Sequence, residues 1–200
     1  MKKKSIITLL LALVFILILT AQVFGKTKFG PKTESHMKTF SGGTYHMKAH
    51  MTEGGTRTDM EIFTKGGRIA STVSVKGETT RIIVRDNKTY MIMESAKMII
   101  VTAMQDASQT GAVNTSGMSY TGSGTANFAG KNLPYEEYLS SGTKTQFFYD
   151  GNTLAGIRNI LSDGKTADTV VTALDQNVPD SVFTVPSSGY QVQDMSAFKF

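Results

Sequence analysis

"TYHMKAHMTEGGTRTDMEIFTKGG" spans residues 44–67. Read with a period of two, its first half puts Tyr45, Met47, Ala49 and Met51 on one side and His46, Lys48 and His50 on the other. After Gly54-Gly55, Met60 and Ile62 fall on one side, and Asp59 and Glu61 on the other. Two alternating runs joined by a glycine pair predict a β-hairpin with one dry and one wet face. Read instead as a helix, His46 and His50 sit one turn apart at metal-ligand spacing. The glycine pair and the second alternating run favour the strand. In a strand the two histidines stand about 7 Å apart at Cα, with the Lys48 ammonium between them. The methionines, which a soft metal would prefer, then point away. No metal site is expected here, and the histidines are read as part of a solvated strand face.

The hairpin pattern continues along the chain. Turn pairs recur at Gly66-Gly67, Lys76-Gly77, Asp86-Asn87 and Ser95-Ala96, and later at Gly130-Lys131, Ser141-Gly142, Asp150-Gly151 and Asp163-Gly164. Such pairs tolerate positive φ and suit two-residue hairpin turns. Between them lie segments rich in Val, Ile, Thr, Tyr and Phe. The expectation is a mainly β fold, an antiparallel meander of about eleven strands. A sheet that wide must twist and curl into a strongly curved, incomplete barrel. Helix is scarce, with one short helix expected over residues 31–40 and a helical turn over 179–183. A last short strand is expected around Tyr190-Gln191-Val192. Residues 106–117 are polar and read as a long loop or flap.

In Arg81-Ile82-Ile83-Val84-Arg85 the alternation is clear, with Ile82 and Val84 opposite Arg81, Ile83 and Arg85. Tyr90-Met91-Ile92-Met93 and the run over residues 98–104 are apolar on both sides. Such strands need cover on both faces. Either a loop covers a locally thick core, or a curled sheet encloses an apolar cavity, and periodicity leaves both open. The chain has 11 methionines, and Met47, Met51, Met60, Met91, Met93, Met98 and Met104 cluster in the first half. Methionine suits adaptable apolar surfaces. The candidate wall of a ligand cavity is therefore Met47, Met51, Met60, Ile62, Met91, Met93 and Ile100.

Lys2-Lys3-Lys4 followed by an uncharged apolar run over residues 6–21, and small Gly25, reads as a signal peptide over residues 1–25. The alternative is a membrane anchor over residues 6–24. Residues 26–200 then form one domain. Without the three leading lysines the formal charge falls from +5 to +2, 18 basic residues against 16 acidic. No basic patch points to nucleic acid. There are no cysteines, so an exported chain has no disulfide framework and stands on its core. Nothing assembles into a catalytic constellation or a cofactor motif. The histidines crowd near the N-terminus, there is no Gly-x-Ser-x-Gly elbow, and Gly122-Ser123-Gly124 lacks the strand-to-helix setting of a phosphate loop. Glu136 and Glu137 are adjacent in Leu133-Pro134-Tyr135-Glu136-Glu137-Tyr138. As strand neighbours they face opposite sides and cannot act as an acid and base pair on one substrate. One of them is placed to face a polar ligand group, or each pairs with a neighbouring Lys or Arg.

The hairpin from Tyr45 to Gly66, the Tyr135-Glu136-Glu137-Tyr138 strand, Phe147-Phe148-Tyr149-Asp150-Gly151-Asn152-Thr153-Leu154 and the ending Val178-Pro179-Asp180-Ser181-Val182-Phe183-Thr184-Val185-Pro186, with Gly189-Tyr190 after it, are similar to LolA/LppX-like proteins. That is the superfamily of the outer-membrane lipoprotein carrier. The resemblance implies a half-barrel with short helices as a lid over an apolar cavity, and a lipid or acyl-chain ligand. It also implies a non-enzymatic, lipoprotein-carrier-like role in the cell envelope, periplasmic or at the cell surface, with a membrane-associated partner. This chain departs from the pattern in its small helix content. The alternative is a structural or protein-interaction module of the envelope whose concavity is filled by its own side chains.

Overall fold

A computed structural model describes residues 29–41, 43–53, 55–103, 118–140, 142–162 and 164–196. The expected signal peptide or anchor (1–25), the polar segment over 106–117, Met104 and the turn residues Gly54, Ser141 and Asp163 lie outside the described residues.

A single strongly curved, unclosed sheet of 12 strands makes up the fold. Helix α1 (Pro31–Ser41) precedes β1 (Thr44–Glu53), β2 (Thr56–Lys65), β3 (Arg68–Val75), β4 (Glu78–Arg85), β5 (Lys88–Met93) and β6 (Met98–Ala103). Then follow β7 (Ser119–Phe128), β8 (Lys131–Ser140), β9 (Thr143–Asp150), β10 (Thr153–Ile160) and β11 (Thr166–Asp175). A 3-10 helix (Asp180–Phe183) and β12 (Gln191–Asp194) complete it. The spatial order is β12-β6-β5-β4-β3-β2-β1-β11-β10-β9-β8-β7. Two antiparallel meanders, β1–β6 and β7–β11, therefore meet where β1 pairs with β11. A register shift between Lys48 and Ala49 marks that junction.

The mainly β half-barrel expected from the sequence is present, with one strand more than the meander count. The added strand is β12, which pairs with β6 in parallel, Gln191 with Met98 and Asp194 with Val101. Only a segment returning from elsewhere can do this, because a hairpin yields an antiparallel neighbour. The hairpin turns carry the expected left-handed backbone, with φ of 57° and 77° at Gly66 and Gly67, and 52° and 57° at Asp86 and Asn87. The β7–β8 turn lies one residue earlier than the Gly130-Lys131 pair, at Ala129 (φ 49°) and Gly130 (φ 81°).

Residues directly paired across strands share a face of the sheet, so the register separates an inner from an outer surface. Inside, Tyr45, Met47, Met51, Met60, Ile62, Val73, Tyr138, Phe147 and Tyr149 belong to one buried cluster. Outside, Ala70, Ile83, Ile92, Ile99 and Val101 form a second cluster with Val178 and Phe183. The segment after β11 thus crosses the outer surface of β3–β6. Asp180 fastens it, accepting from Arg68 Nη2 at 2.7 Å and Lys65 Nζ at 3.1 Å. Arg85 Nη1 donates to the Phe183 carbonyl at 3.2 Å. A third cluster, Phe128, Leu133 and Phe148, covers the outer face at the other end. It requires Gly156, because a Cβ there would lie 2.4 Å from both Phe128 Cζ and the Thr169 carbonyl oxygen. Among the described residues no helix is long and apolar enough to cross a membrane.

Candidate functional site

The period-two reading of residues 44–67 places its apolar side chains inward. Met47 pairs with Ile62, Ile62 with Ser71, Ser71 with Ile82, Ile82 with Met91 and Met91 with Ile100. This is one row across β1–β6. The next row runs Ala49, Met60, Val73, Thr80, Met93 and Met98. Met51 lies on the same face, opposite Thr58. The structure thus brings Met47, Met51, Met60, Ile62, Met91, Met93 and Ile100 onto one surface.

Burial changes along that surface. Met47, Met60 and Ile62 are 3%, 5% and 1% exposed, and Ile82 and Val84 are still buried. Met91, Met93, Met98 and Ile100 are half-buried. The apolar row therefore starts in the core and emerges at its β5–β6 end.

The other end is closed by α1. Glu136, on β8, turns inward while Glu137 turns outward, as strand neighbours must. Glu136 is 4% exposed, and its carboxylate accepts from the Lys32 N–H at 3.0 Å and the Thr33 N–H at 2.9 Å. These are first-turn donors that have no partner within the helix. A negative charge at that end also meets the favourable pole of the helix dipole. The Tyr138 hydroxyl donates to Glu136 Oε2 at 3.2 Å and accepts from the Gly30 N–H at 2.9 Å. The Thr33 and Tyr149 hydroxyls lie 2.6 Å apart in a hydrogen bond. Burial pushes the Glu136 carboxyl up, but the hydrogen bonds from Thr33, Lys32 and Tyr138 outweigh it and hold the group below its ordinary value. Burial pushes the Tyr138 phenol up to about 12, and Tyr149 is raised for the same reason. Both phenols stay neutral at physiological pH. Phe147 meets Tyr138 edge-on at 5.5 Å.

Neither sequence expectation for the glutamates holds in full. Glu137 takes the ordinary partner, Lys144 at 3.4 Å. Glu136 takes backbone amides more than a hundred positions away. Nothing local in the sequence marks that contact beyond an acidic residue in phase with inward-facing Tyr138.

His46 and His50 lie on the outer face of β1. His46 is less solvated than a free strand face implies, its side chain being 13% exposed. Its ring stacks on Phe63 at 4.4 Å, and its two nitrogens meet Glu61 at 2.9 Å and Asp175 at 3.1 Å. Lys48 does not stand free between the histidines, since its ammonium is 3.1 Å from Glu61. Among the described residues no group of three or more His, Cys, Asp or Glu is placed to hold a metal ion.

No family model matches the chain, and no curated protein matches it. Solved structures do match. The chain is similar to an uncharacterized conserved protein from Thermus thermophilus, with a TM-score of 0.50 at 8% identity over 76% of this chain and 90% of that one. It is similar to MucB in complex with MucA(peri), with a TM-score of 0.45 at 12% identity over 73% of this chain and 55% of that one. It is similar to the LolA superfamily protein NE2245 from Nitrosomonas europaea, with a TM-score of 0.39 at 10% identity over 72% of this chain and 90% of that one. At these identities the likeness is one of fold. The superfamily that the sequence resembles is among these structures.

Proposed function

We propose that this protein is an exported, non-enzymatic binder of a lipid or another apolar ligand, held on the inner face of the half-barrel over β4–β6. The observation that carries the reading is the row from Met47 to Ile100, apolar except for Ser71, buried at its start and half-buried at Met91 and Ile100. Half-exposed methionines on a concave apolar surface suit ligands of variable shape. An acyl chain of about a dozen methylenes gains at most roughly 10 kcal/mol from burial, much of it offset by the entropy of association. The resemblance to lipoprotein carriers supports the same class of ligand, and an envelope location with a membrane-associated partner.

Native mass spectrometry of gently purified protein tests this, together with uptake of a fluorescent fatty acid. Bound lipid or uptake is expected, lost in Met91→Asp with the fold intact. A folded protein with a clean apo mass and no uptake overturns the reading. It leaves the alternative, an envelope interaction module without an apolar ligand.

A further inference from the structure

Met91, Met93 and Met98 come together on the inner face at the β5–β6 hairpin. Met93 and Met98 are direct cross-strand partners. Met91 lies two residues before Met93 on the same face and diagonal to Met98. All three are half-buried. Directly opposed residues hold their Cβ atoms about 4.5–5.5 Å apart, and diagonal neighbours stand about 7–8 Å apart. Three long, flexible thioethers at those spacings reach a common point above the sheet.

The chemistry around them is selective. Their inner-face neighbours Thr80, Ile82, Thr89 and Ile100 carry no charge. The cations of these strands, Arg81, Arg85 and Lys88, belong to the outer face by register, in phase with Ile83 and Ile92. Glu78 shares the inner face with Thr80 and stands exposed at its rim. A cation there is opposed by no ammonium or guanidinium from β4–β6. A hard divalent ion finds no set of oxygen ligands, whereas thioethers favour soft ions.

We propose that Met91, Met93 and Met98 form a thioether site for a soft monovalent cation, Cu(I) or its redox-stable counterpart Ag(I). The site goes beyond the apolar-ligand reading and separates from it experimentally, because Met→Leu keeps volume and apolarity while removing sulfur. The full chain is titrated with Ag(I) and read by native mass spectrometry and by the methionine methyl resonances in NMR. One retained ion per chain is expected, with shifts at the three methyl signals that single Leu variants assign to Met91, Met93 and Met98. The triple variant M91L/M93L/M98L loses the ion while its circular dichroism and urea midpoint stay close to those of the wild type. The double variant H46A/H50A keeps the ion. A wild-type protein that retains no Ag(I), a triple variant that still retains it, or shifts confined to other methionines overturns the proposal. Loss of fatty-acid uptake in the wild type bears on the apolar-ligand reading and leaves this test intact.

Discussion

The inner face of the sheet has two ends built from the same kind of residue with opposite outcomes. At the β8–β9–β1 end, Tyr45, Met47, Tyr138, Phe147 and Tyr149 are buried, and α1 is anchored there through Glu136. At the β5–β6 end, Met91, Met93, Met98 and Ile100 continue the same rows and are only half-buried. Apolar patterning alone does not distinguish them. The closed end has a buried carboxylate and two phenols to receive the polar end of a helix, and the open end presents Thr80, Thr89 and Thr102 among its apolar side chains. A cover that ends in unpaired backbone amides can settle on the first surface without leaving them unsatisfied.

Truncation at matched positions of the two ends should break the symmetry. Met47→Ala removes a 3%-exposed side chain from the closed end and is expected to cost about 2–4 kcal/mol as a core cavity. Met91→Ala, further along the same row, is expected to cost less, about 1–2 kcal/mol, because its side chain is only partly buried. Urea denaturation at constant m-value measures both. Equal losses would show that the two ends are packed alike.

The next effect sharpens why the closed end is closed. Glu136→Gln leaves one acceptor oxygen and aims an amide N–H at a helix N–H, so one buried donor loses its partner. The expected loss is about 1–2 kcal/mol near neutral pH, with faster hydrogen exchange at the Lys32 and Thr33 amides. The pH dependence follows from the direction of the Glu136 shift. Its folded pKa lies below the unfolded value of 4.5, so the carboxylate's contribution is complete above 4.5 and is lost as pH falls through the folded value. The gap between wild type and Glu136→Gln should therefore close in acid. A gap that stays constant from pH 7 to below 4.5 would mean that the charge is not what holds the helix.

These contrasts also mark what was legible in the sequence. The strands were legible because alternation and turn pairs act over a few residues, and the apolar side of β1, β2 and β4 followed from the same alternation. Residues 90–93 and 98–103 were ambiguous because both of their faces are apolar. Their outer face proves to be covered by Val178, Phe183 and neighbouring residues, while their inner face stays half open. The first kind of cover, a segment laid over a thick core, is thus at work on the outer side. That could not be read locally, since the covering segment lies some eighty positions downstream. The strand β12 was expected around Tyr190-Gln191-Val192, but its parallel pairing with β6 and the Glu136 contact were hidden for the same reason. Both depend on the chain returning to β6 and β8 from distant positions, and local periodicity does not encode such returns.

The smallest expected effect concerns the outer face beside the junction of the two meanders. His46 bridges Glu61 of β2 and Asp175 of β11 and stacks on Phe63. Its carboxylate partners are partly exposed, with side chains 33% and 47% accessible. Contacts to carboxylates in that setting contribute little, because water competes for the partly exposed oxygens. His46→Ala is therefore expected to lower stability by about 1 kcal/mol or less. Fatty-acid uptake should not change, because the ring and the apolar row leave opposite sides of β1. Calorimetry and the uptake assay together check this. Lost uptake in a stable His46→Ala protein would mean that the two faces communicate through the β1–β11 seam, where the register shift at Lys48 and Ala49 already interrupts the ladder. The open end would then depend on how the two meanders are joined as well as on the side chains that line it.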